Sequence, residues 1–392
     1  MAAGLFTEVL KHPRKLLNFT RKIRIARRLY GKTYWQLLAL FFQLYRKERY
    51  TPWEIFLWDL LGLATREDVL RSAISKSALI AWQQRLNPVS AADLTEDKVV
   101  FSNYCRAYGL PAPRLLAVVG WDLGWTADGK VMRCDAHWTR FFDELAVGDI
   151  VIKPALGVYG RDVRFYRRAE GHWLDETGRA VASTEIVTAL RHNGCFSNFV
   201  VQERVPSHPS LARLSGTDYL QTVRIVTLVS ERNGPEIVGS LFKVIGSNAT
   251  IDNFASGSKG NLLAPVSRQT GRIECALTCR PSGVGLEPVE RHPLTGLPLP
   301  GFQLPFWPET CELARRAALA FAPLLSVGWD VAITPDGPVL IEGNAWWDPQ
   351  NEDPSMLGFA TYLRSLFDES AAPAVGSTGN TAILCHRPPE GE

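Results

Sequence analysis

Two apolar runs flank a Pro-Asp-Gly turn near the end of this chain, and they constrain its fold more than any other segment. The first run covers residues 329–334, the turn covers 335–338, and the second run covers 339–344. Pro followed by Asp-Gly between β-branched residues is typical of a tight turn joining two strands, so the segment predicts a β-hairpin. In that hairpin Asp330 falls opposite Glu342, within one residue of register.

The same hairpin carries three oxygen-bearing side chains. Glu342 and Asn344 share a face because strand side chains repeat every two residues, and Asp330 lies across from them. Two carboxylates and an amide suit Mg²⁺, which prefers oxygen ligands and completes its shell with water and substrate phosphates. Solvated surface carboxylates are the alternative, but a carboxylate in an apolar run is costly to bury without a cation. The implied substrate is a nucleoside triphosphate.

The N-terminal segment is strongly basic, whereas the composition as a whole is ordinary. The 392 residues are 46% hydrophobic and 21% charged, which fits a soluble globular protein with two or three cores. Residues 1–50 contain twelve Lys or Arg but only two Glu, and apolar residues interleave with them from 11 to 50. This pattern predicts amphipathic helices. We favour a helical cap packed on the body; peripheral contact with an anionic membrane surface or acidic polymer is the alternative.

Several classes of protein do not fit the sequence. The apolar stretch 34–45 is too short to span a bilayer and no signal-peptide pattern precedes it, so we expect a cytoplasmic protein. The seven cysteines are scattered and form no Cys-x-x-Cys pair, which supports neither a disulfide framework nor a zinc site. Residues 370–392 are rich in Ala, Gly, Pro and Thr and are expected to be disordered.

A strand, a glycine loop and a second strand follow one another in the middle of the chain. Residues 149–154 form a short apolar run that contains Lys153, and the loop after it contains Gly157 and Gly160. In residues 161–166 polar and apolar side chains alternate, as in a strand with one buried face. No helix opens after the glycines, which excludes a Walker A or dinucleotide-binding loop. The loop amides and Lys153 suit an anionic oxygen, but a plain hairpin turn is the simpler alternative.

Further candidates lie on the next predicted strands. Arg224 stands inside the apolar run 221–229 and needs an anion, either a carboxylate or a phosphate. A turn at 231–235 predicts pairing with the run 236–245, which carries Lys243. The long Gly, Ser and Asn loop that follows is typical of a substrate-facing segment. Its candidate substrate contacts are Asn253, Ser256 and Lys259.

The order of these motifs resembles the ATP-grasp superfamily, and specifically its sugar-transfer-associated branch. The resemblance extends over nearly the whole chain. The segments that carry it are Asp97-Lys98, 108–113, Ile152-Lys153-Pro154, 201–205, 222–226, Asp252-Asn253, His292-Pro293, Gly328-Trp329-Asp330 and Ile341-Glu342-Gly343-Asn344. Each of them is weak alone, whereas the order is specific.

The resemblance implies an α+β protein with the ATP-grasp fold, in which two α+β subdomains clamp the nucleotide. A basic, aromatic-rich helical region at 1–92 precedes this fold. Residues 93–206 would form the N-terminal and central subdomains with the glycine loop. Residues 207–369 would form the C-terminal subdomain with the metal and substrate site.

The resemblance also implies roles for individual residues. Gln202, Glu203 and Val205 would contact adenine, with Glu203 near the amino group or the ribose. Lys98 and Lys153 would contact the α and β phosphates beneath the loop of Gly157 and Gly160. Asp330, Glu342 and Asn344 would hold Mg²⁺ between the β and γ phosphates. Arg224 and Lys243 would neutralise the transferring phosphoryl group, although Lys243 stands where the family pattern has an arginine.

The expected activity is that of an ADP-forming carboxylate–amine ligase. Its substrates would be ATP, a small-molecule, sugar or peptide carboxylate, which is activated as an acyl phosphate, and an amine or similar nucleophile. We expect no nucleic-acid partner. A non-catalytic ATP-binding regulatory or scaffold protein and a phosphotransferase are the alternatives.

Overall fold

The computed structural model describes residues 13–63, 65–157, 160–254, 257, 259–353, 356 and 358–367. The tail predicted to be disordered at 370–392 lies outside the described residues, as do residues 1–12 of the basic segment. Helices form the first part of the described chain and a mixture of strands and helices follows, which confirms the mixed α and β class.

The helices come mainly from the N-terminal third and from the segments that cover the sheets. They are α1 (Pro13–Tyr30), α2 (Tyr34–Arg46), α3 (Pro52–Leu57), α4 (Arg66–Ser72), α5 (Lys76–Leu86), α6 (Asp93–Glu96), α7 (Lys98–Ala107), α8 (Asp135–Glu144), α9 (Ser183–Arg191), α10 (Pro209–Ser215), α11 (Trp307–Ala320) and α12 (Phe359–Phe367). A 3₁₀ turn at Val89–Ala91 joins α5 to α6.

The strands form two antiparallel sheets. The first contains β1 (Leu115–Val119), β2 (Gly124–Thr126), β3 (Val131–Met132), β4 (Asp149–Pro154), β5 (Arg164–Ala169), β6 (His172–Leu174), β7 (Ala180–Val181) and β8 (Phe199–Glu203), in the order β3-β2-β1-β8-β4-β5-β6-β7. The second contains β9 (Thr222–Ser230), β10 (Gly234–Val244), β11 (Leu262–Pro265), β12 (Leu277–Cys279), β13 (Leu286–Pro288), β14 (Ser326–Thr334) and β15 (Gly337–Asn344), in the order β13-β12-β11-β10-β9-β14-β15.

The strand after the glycine loop begins later than the sequence predicts. β4 has the predicted bounds, but β5 starts at Arg164, so Arg161 belongs to the loop. Asp162 adopts a positive φ of 55°, a left-handed conformation that interrupts an extended run. The alternating pattern therefore predicts that a strand follows the loop, but it does not predict the residue at which that strand begins.

The second sheet contains the largest core, and α7 packs into it. Phe101 of α7 lies 5.5 Å from Phe321, between ring centroids, and Phe321 lies 5.1 Å from Trp329 of β14. Val223 and Ile225 of β9 are buried in the same cluster. The helix that begins at Lys98 thus contributes to the core of the second sheet, while Ser102 on the same helix accepts a hydrogen bond from Gln202 of the first sheet. The predicted subdomain boundaries stay a prediction.

The N-terminal region is helical, as expected, and has its own apolar core. Phe41 of α2 packs against Phe19 of α1 and Phe56 of α3. Thr33 and Thr51 close capping boxes at the starts of α2 and α3. Among the described residues, the structure has no helix with the length and apolarity needed to cross a membrane.

Candidate active site

The hairpin of β14 and β15 places Asp330 directly opposite Glu342, which confirms the predicted register. A β-bulge between Asp330 and Val331 lies next to this pair. Bulges commonly occur where a strand must re-aim a side chain beside a site. Both carboxylates and Asn344 line one cavity of about 920 Å³ between the sheets and the N-terminal helices.

Two cations hold Asp330. Arg224 lies opposite Asp330 on the neighbouring strand β9 and donates two hydrogen bonds to its carboxylate, at 2.6 and 3.0 Å. Lys243 of β10 donates a third, at 2.8 Å. The sequence left open whether Arg224 meets a carboxylate or a phosphate; in this structure its partner is a carboxylate. A bidentate pair of this kind fixes both side chains in direction.

The pKa values of the two carboxylates of the hairpin are shifted in opposite directions. Burial alone would raise the pKa of Asp330, but Arg224 and Lys243 hold that pKa well below its usual range. Burial raises the pKa of Glu342, and the charge of neighbouring Asp330 raises it further, whereas Lys98 and Lys243 partly offset the rise. An added positive charge at this pair of carboxylates would therefore be stabilising.

Two lysines approach the hairpin from the first sheet and from α7. Lys98 and Lys153 are each only 8% exposed. The Lys98 ammonium donates a 2.7 Å hydrogen bond to the Gly157 carbonyl. Burial, followed by the charge of Lys98, lowers the pKa of Lys153 to about 8, against the attraction of Glu342 and Asp330. Two crowded, buried ammonium groups provide a place for a polyanion.

The predicted glycine loop and adenine strand line the same cavity. Gly160 has a φ of +63°, and a Cβ there would approach Ile251 to 3.0 Å. The Gln202 amide donates to the Ser102 hydroxyl at 3.1 Å, and Glu203 pairs with Arg114 at 2.9 Å. The residues of this group that line the cavity are Gly157, Gly160, Gln202, Glu203 and Val205.

The predicted substrate loop contributes only part of its residues. Asn253 lines the cavity, and its carbonyl accepts a 2.9 Å hydrogen bond from the Asn261 amide. Lys259 is exposed and is not among the lining residues. Ser256 lies outside the described residues. All the other predicted site residues line this one cavity.

Several cavity residues were missed by the sequence analysis. Glu96 accepts a 3.1 Å hydrogen bond from the Ala345 amide, and burial raises its pKa. Asp252 was quoted only for the resemblance, yet it accepts two hydrogen bonds from Thr222, at 2.6 and 2.7 Å. A third group comes from the N-terminal helices and from the segment after β15, and no local pattern in the sequence marks it. Its members are Thr51, Trp53, Glu54, Leu57, Trp58, Lys76, Ile80, Trp346, Trp347, Asp348, Pro349, Gln350 and Glu352.

No cluster of three or more His, Cys, Asp or Glu side chains suited to a metal ion occurs in the part of the chain that the structure describes. The predicted metal set does not require one, because it combines two carboxylates with an amide. The Asn344 amide nitrogen donates to the Gly328 carbonyl at 3.2 Å, which orients the side chain. In that orientation the amide oxygen is left for another partner.

Comparison with known proteins identifies the family. The sequence model of the sugar-transfer associated ATP-grasp family matches residues 79–352. The chain belongs to this family. The fold is therefore the ATP-grasp fold, preceded by a helical N-terminal region, as the order of motifs predicts. No sequence among curated proteins matches the chain.

Solved structures that resemble this ATP-grasp protein are distant. A D-alanine–D-alanine ligase from Coxiella burnetii is 10% identical with a TM-score of 0.40, over 71% of this chain and 58% of that one. A biotin carboxylase from Campylobacter jejuni is 11% identical with a TM-score of 0.41, over 78% and 54%. An N5-carboxyaminoimidazole synthase from Aspergillus clavatus is 12% identical with a TM-score of 0.37, over 70% and 51%. The chain thus spans little more than half the length of these proteins.

Proposed function

We propose that this protein is an ATP-dependent ligase that activates a substrate carboxylate as an acyl phosphate and joins it to an amine, releasing ADP and phosphate. One observation carries the proposal. A single cavity brings the Asp330–Glu342 pair, the Arg224 and Lys243 cations and the buried Lys98 and Lys153 together. Membership of the ATP-grasp family supports ATP as the phosphoryl donor.

The hairpin residues fit Mg²⁺. Glu342 and Asp330 form a buried pair of adjacent carboxylates on neighbouring strands, and burial together with the charge of Asp330 raises the pKa of Glu342. Asp330, Glu342 and the Asn344 oxygen would hold the ion, since hard cations take carboxylate and amide oxygens. When bound, Mg²⁺ would neutralise charge on the nucleotide phosphates.

The protein's own cations would bind and orient the phosphates. Lys98 and Lys153 lie where two ammonium groups crowd each other, so a triphosphate between them would relieve that repulsion. Arg224 and Lys243 are held in place by Asp330 before any substrate arrives. Charges positioned in advance stabilise developing negative charge without reorganisation during the reaction.

The reaction needs no nucleophile from the protein. A carboxylate oxygen of the substrate attacks the γ-phosphorus, and the bond to the ADP oxygen breaks. The amine nitrogen then forms a bond to the acyl carbon while the carbon–oxygen bond to phosphate breaks. Positioning and charge neutralisation are the main contributions a protein makes to phosphoryl transfer.

A trapping assay tests this proposal. Hydroxylamine serves as a general amine acceptor while panels of small, sugar and peptide carboxylic acids are screened with Mg²⁺ and ATP. We expect the wild type to form one hydroxamate for each ADP. The control variant Glu312→Ala, which removes an exposed carboxylate on α11, should do the same. We expect neither product from Glu342→Ala. Accumulation of AMP and pyrophosphate would show that the activation step is wrong.

A further inference from the structure

Nine apolar side chains also line the cavity. These side chains come from the N-terminal helices, from the second sheet and from the segment after β15. They are Trp53, Leu57, Trp58, Ile80, Leu241, Phe254, Leu263, Trp346 and Trp347. Leu57, Leu241, Phe254 and Leu263 also pack together as one cluster. We refer to these nine residues as the apolar wall; neither phosphates nor Mg²⁺ require such a surface.

One carboxyl group in the same cavity has no partner for one of its oxygens. Glu352 is only 3% exposed and lines the cavity. Its Oε2 atom is buried and has no hydrogen-bond partner among the described residues. An unpaired buried oxygen of this kind is costly and calls for an explanation.

The segment that carries Glu352 is fixed on both sides. The Asn351 side chain bonds both the amide and the carbonyl of Ile74, each at 3.0 Å. Trp347 is held through its indole nitrogen by Ser326 at 3.1 Å and through its carbonyl by Gln83 at 2.9 Å. The segment that carries Glu352 is therefore held by the hydrogen bonds of Trp347 before it and of Asn351 next to it.

The charges around Glu352 are predominantly negative. Burial, followed by the charges of Asp353 and Asp348, raises the pKa of Glu352 to about 8. Lys76 forms an ion pair with Asp348. Asp348 also acts on Arg224, because its charge contributes to the raised pKa of that guanidinium. The charge of Asp348 thus acts on both Glu352 and Arg224, and a cation beside Glu352 and its acidic neighbours would be stabilised.

We propose that Glu352 binds the amine of the acceptor substrate and that the apolar wall holds a hydrophobic carbon framework attached to that amine. This inference rests on the proposed ligase function. The positive charge of a bound ammonium group would favour the ionised form of Glu352, which releases its proton to solvent. The carboxylate would then take one proton from the ammonium group and leave the neutral amine. The amine nitrogen then bonds to the acyl carbon as the acyl–phosphate bond breaks, and its second proton leaves with the phosphate.

Binding of simple amines tests the proposal on the full chain. The probes are n-butylamine and n-hexylamine, with n-butanol and n-hexanol as uncharged controls, measured by calorimetry on wild type, Glu352→Gln and Glu312→Gln. We expect amine affinity in the wild type to rise about fourfold for each added methylene. We expect it to fall roughly tenfold or more in Glu352→Gln, as for loss of a bond to a charged group, and to be unchanged in Glu312→Gln. The alkanols should not distinguish the three proteins.

A second variant tests the wall independently. Trp53 is 46% exposed, so Trp53→Ala should fold, and we expect it to weaken hexylamine more than butylamine. Equal amine binding by wild type and Glu352→Gln, or no amine binding by the wild type, would overturn the proposal. Mg²⁺-dependent ATP binding serves as the separate control. If Glu352→Gln retains it while amines fail to bind, only the acceptor site is wrong; if the wild type lacks it, the proposed function is wrong.

Discussion

Raising the pH from 7 to 9 should weaken nucleotide binding through Lys153. Burial and Lys98 lower the pKa of this ammonium to about 8 in the free protein. Its charged fraction then falls from about 90% at pH 7 to about 10% at pH 9. If the phosphates bind only the charged form, affinity for Mg²⁺–ATP falls roughly tenfold over this range. At about pH 8 binding should also take up about half a proton.

Calorimetry measures both effects, because the apparent enthalpy depends on the ionisation enthalpy of the buffer when protons are taken up. Lys153→Arg is the matched control, since an arginine stays charged over the whole range. We expect the variant to lose less than about twofold in affinity between pH 7 and 9. Parallel tenfold losses in wild type and variant, or a pH-independent wild type, would refute the role given to Lys153.

Three further predictions concern the charged centre, the acceptor site and the N-terminal helices. Arg224→Ala leaves Lys243 as the remaining ion-pair partner of the buried Asp330 carboxylate. Urea unfolding should show a free energy of unfolding lower by about 3 kcal/mol. The double variant Arg224→Ala/Asp330→Ala should lose less stability than the sum of the losses in the two single variants. Glu352 binds its proton more tightly when folded, so the wild type should lose stability from about pH 5 to about pH 8, and Glu352→Gln should flatten this loss in thermal melts across that range. One face of α1 carries Leu17, which is 71% exposed, and four exposed arginines, Arg14, Arg21, Arg24 and Arg28. Changing all four arginines to Gln tests the membrane hypothesis, because the free energy of binding to anionic vesicles should weaken by about 1 kcal/mol per arginine in co-sedimentation. Equal sedimentation of the wild type and the variant would favour a helical cap packed on the body.

The site hairpin was predictable because its signals are local. The Pro-Asp-Gly turn sets the register, and the two-residue period of the strands places Asp330 opposite Glu342. Arg224 stood out because an arginine inside an apolar strand needs an anion. That anion, Asp330, lies 106 residues further along the chain, and a single sequence leaves this pairing open.

The acceptor end of the cavity was missed because nothing local marks it. Glu352 follows the hairpin in a polar segment whose residues resemble an ordinary loop. Its burial depends on contacts such as Asn351 with Ile74, which are separated by 277 positions. Trp53 and Trp58 likewise fall within the region 1–92 that was predicted to be helical, and only the packed structure places them in the cavity wall.

The central claim is that the Asp330–Glu342 hairpin binds Mg²⁺–ATP, and a thermal-shift titration of three proteins tests it most directly. Wild type and the surface control Glu312→Ala should be stabilised by ATP only when Mg²⁺ is present, by about 2.7 kcal/mol at a ligand concentration 100 times the Kd. Glu342→Ala should lose that stabilisation and melt at the same temperature with or without the nucleotide. Equal stabilisation of all three proteins, or of none of them, would contradict the account.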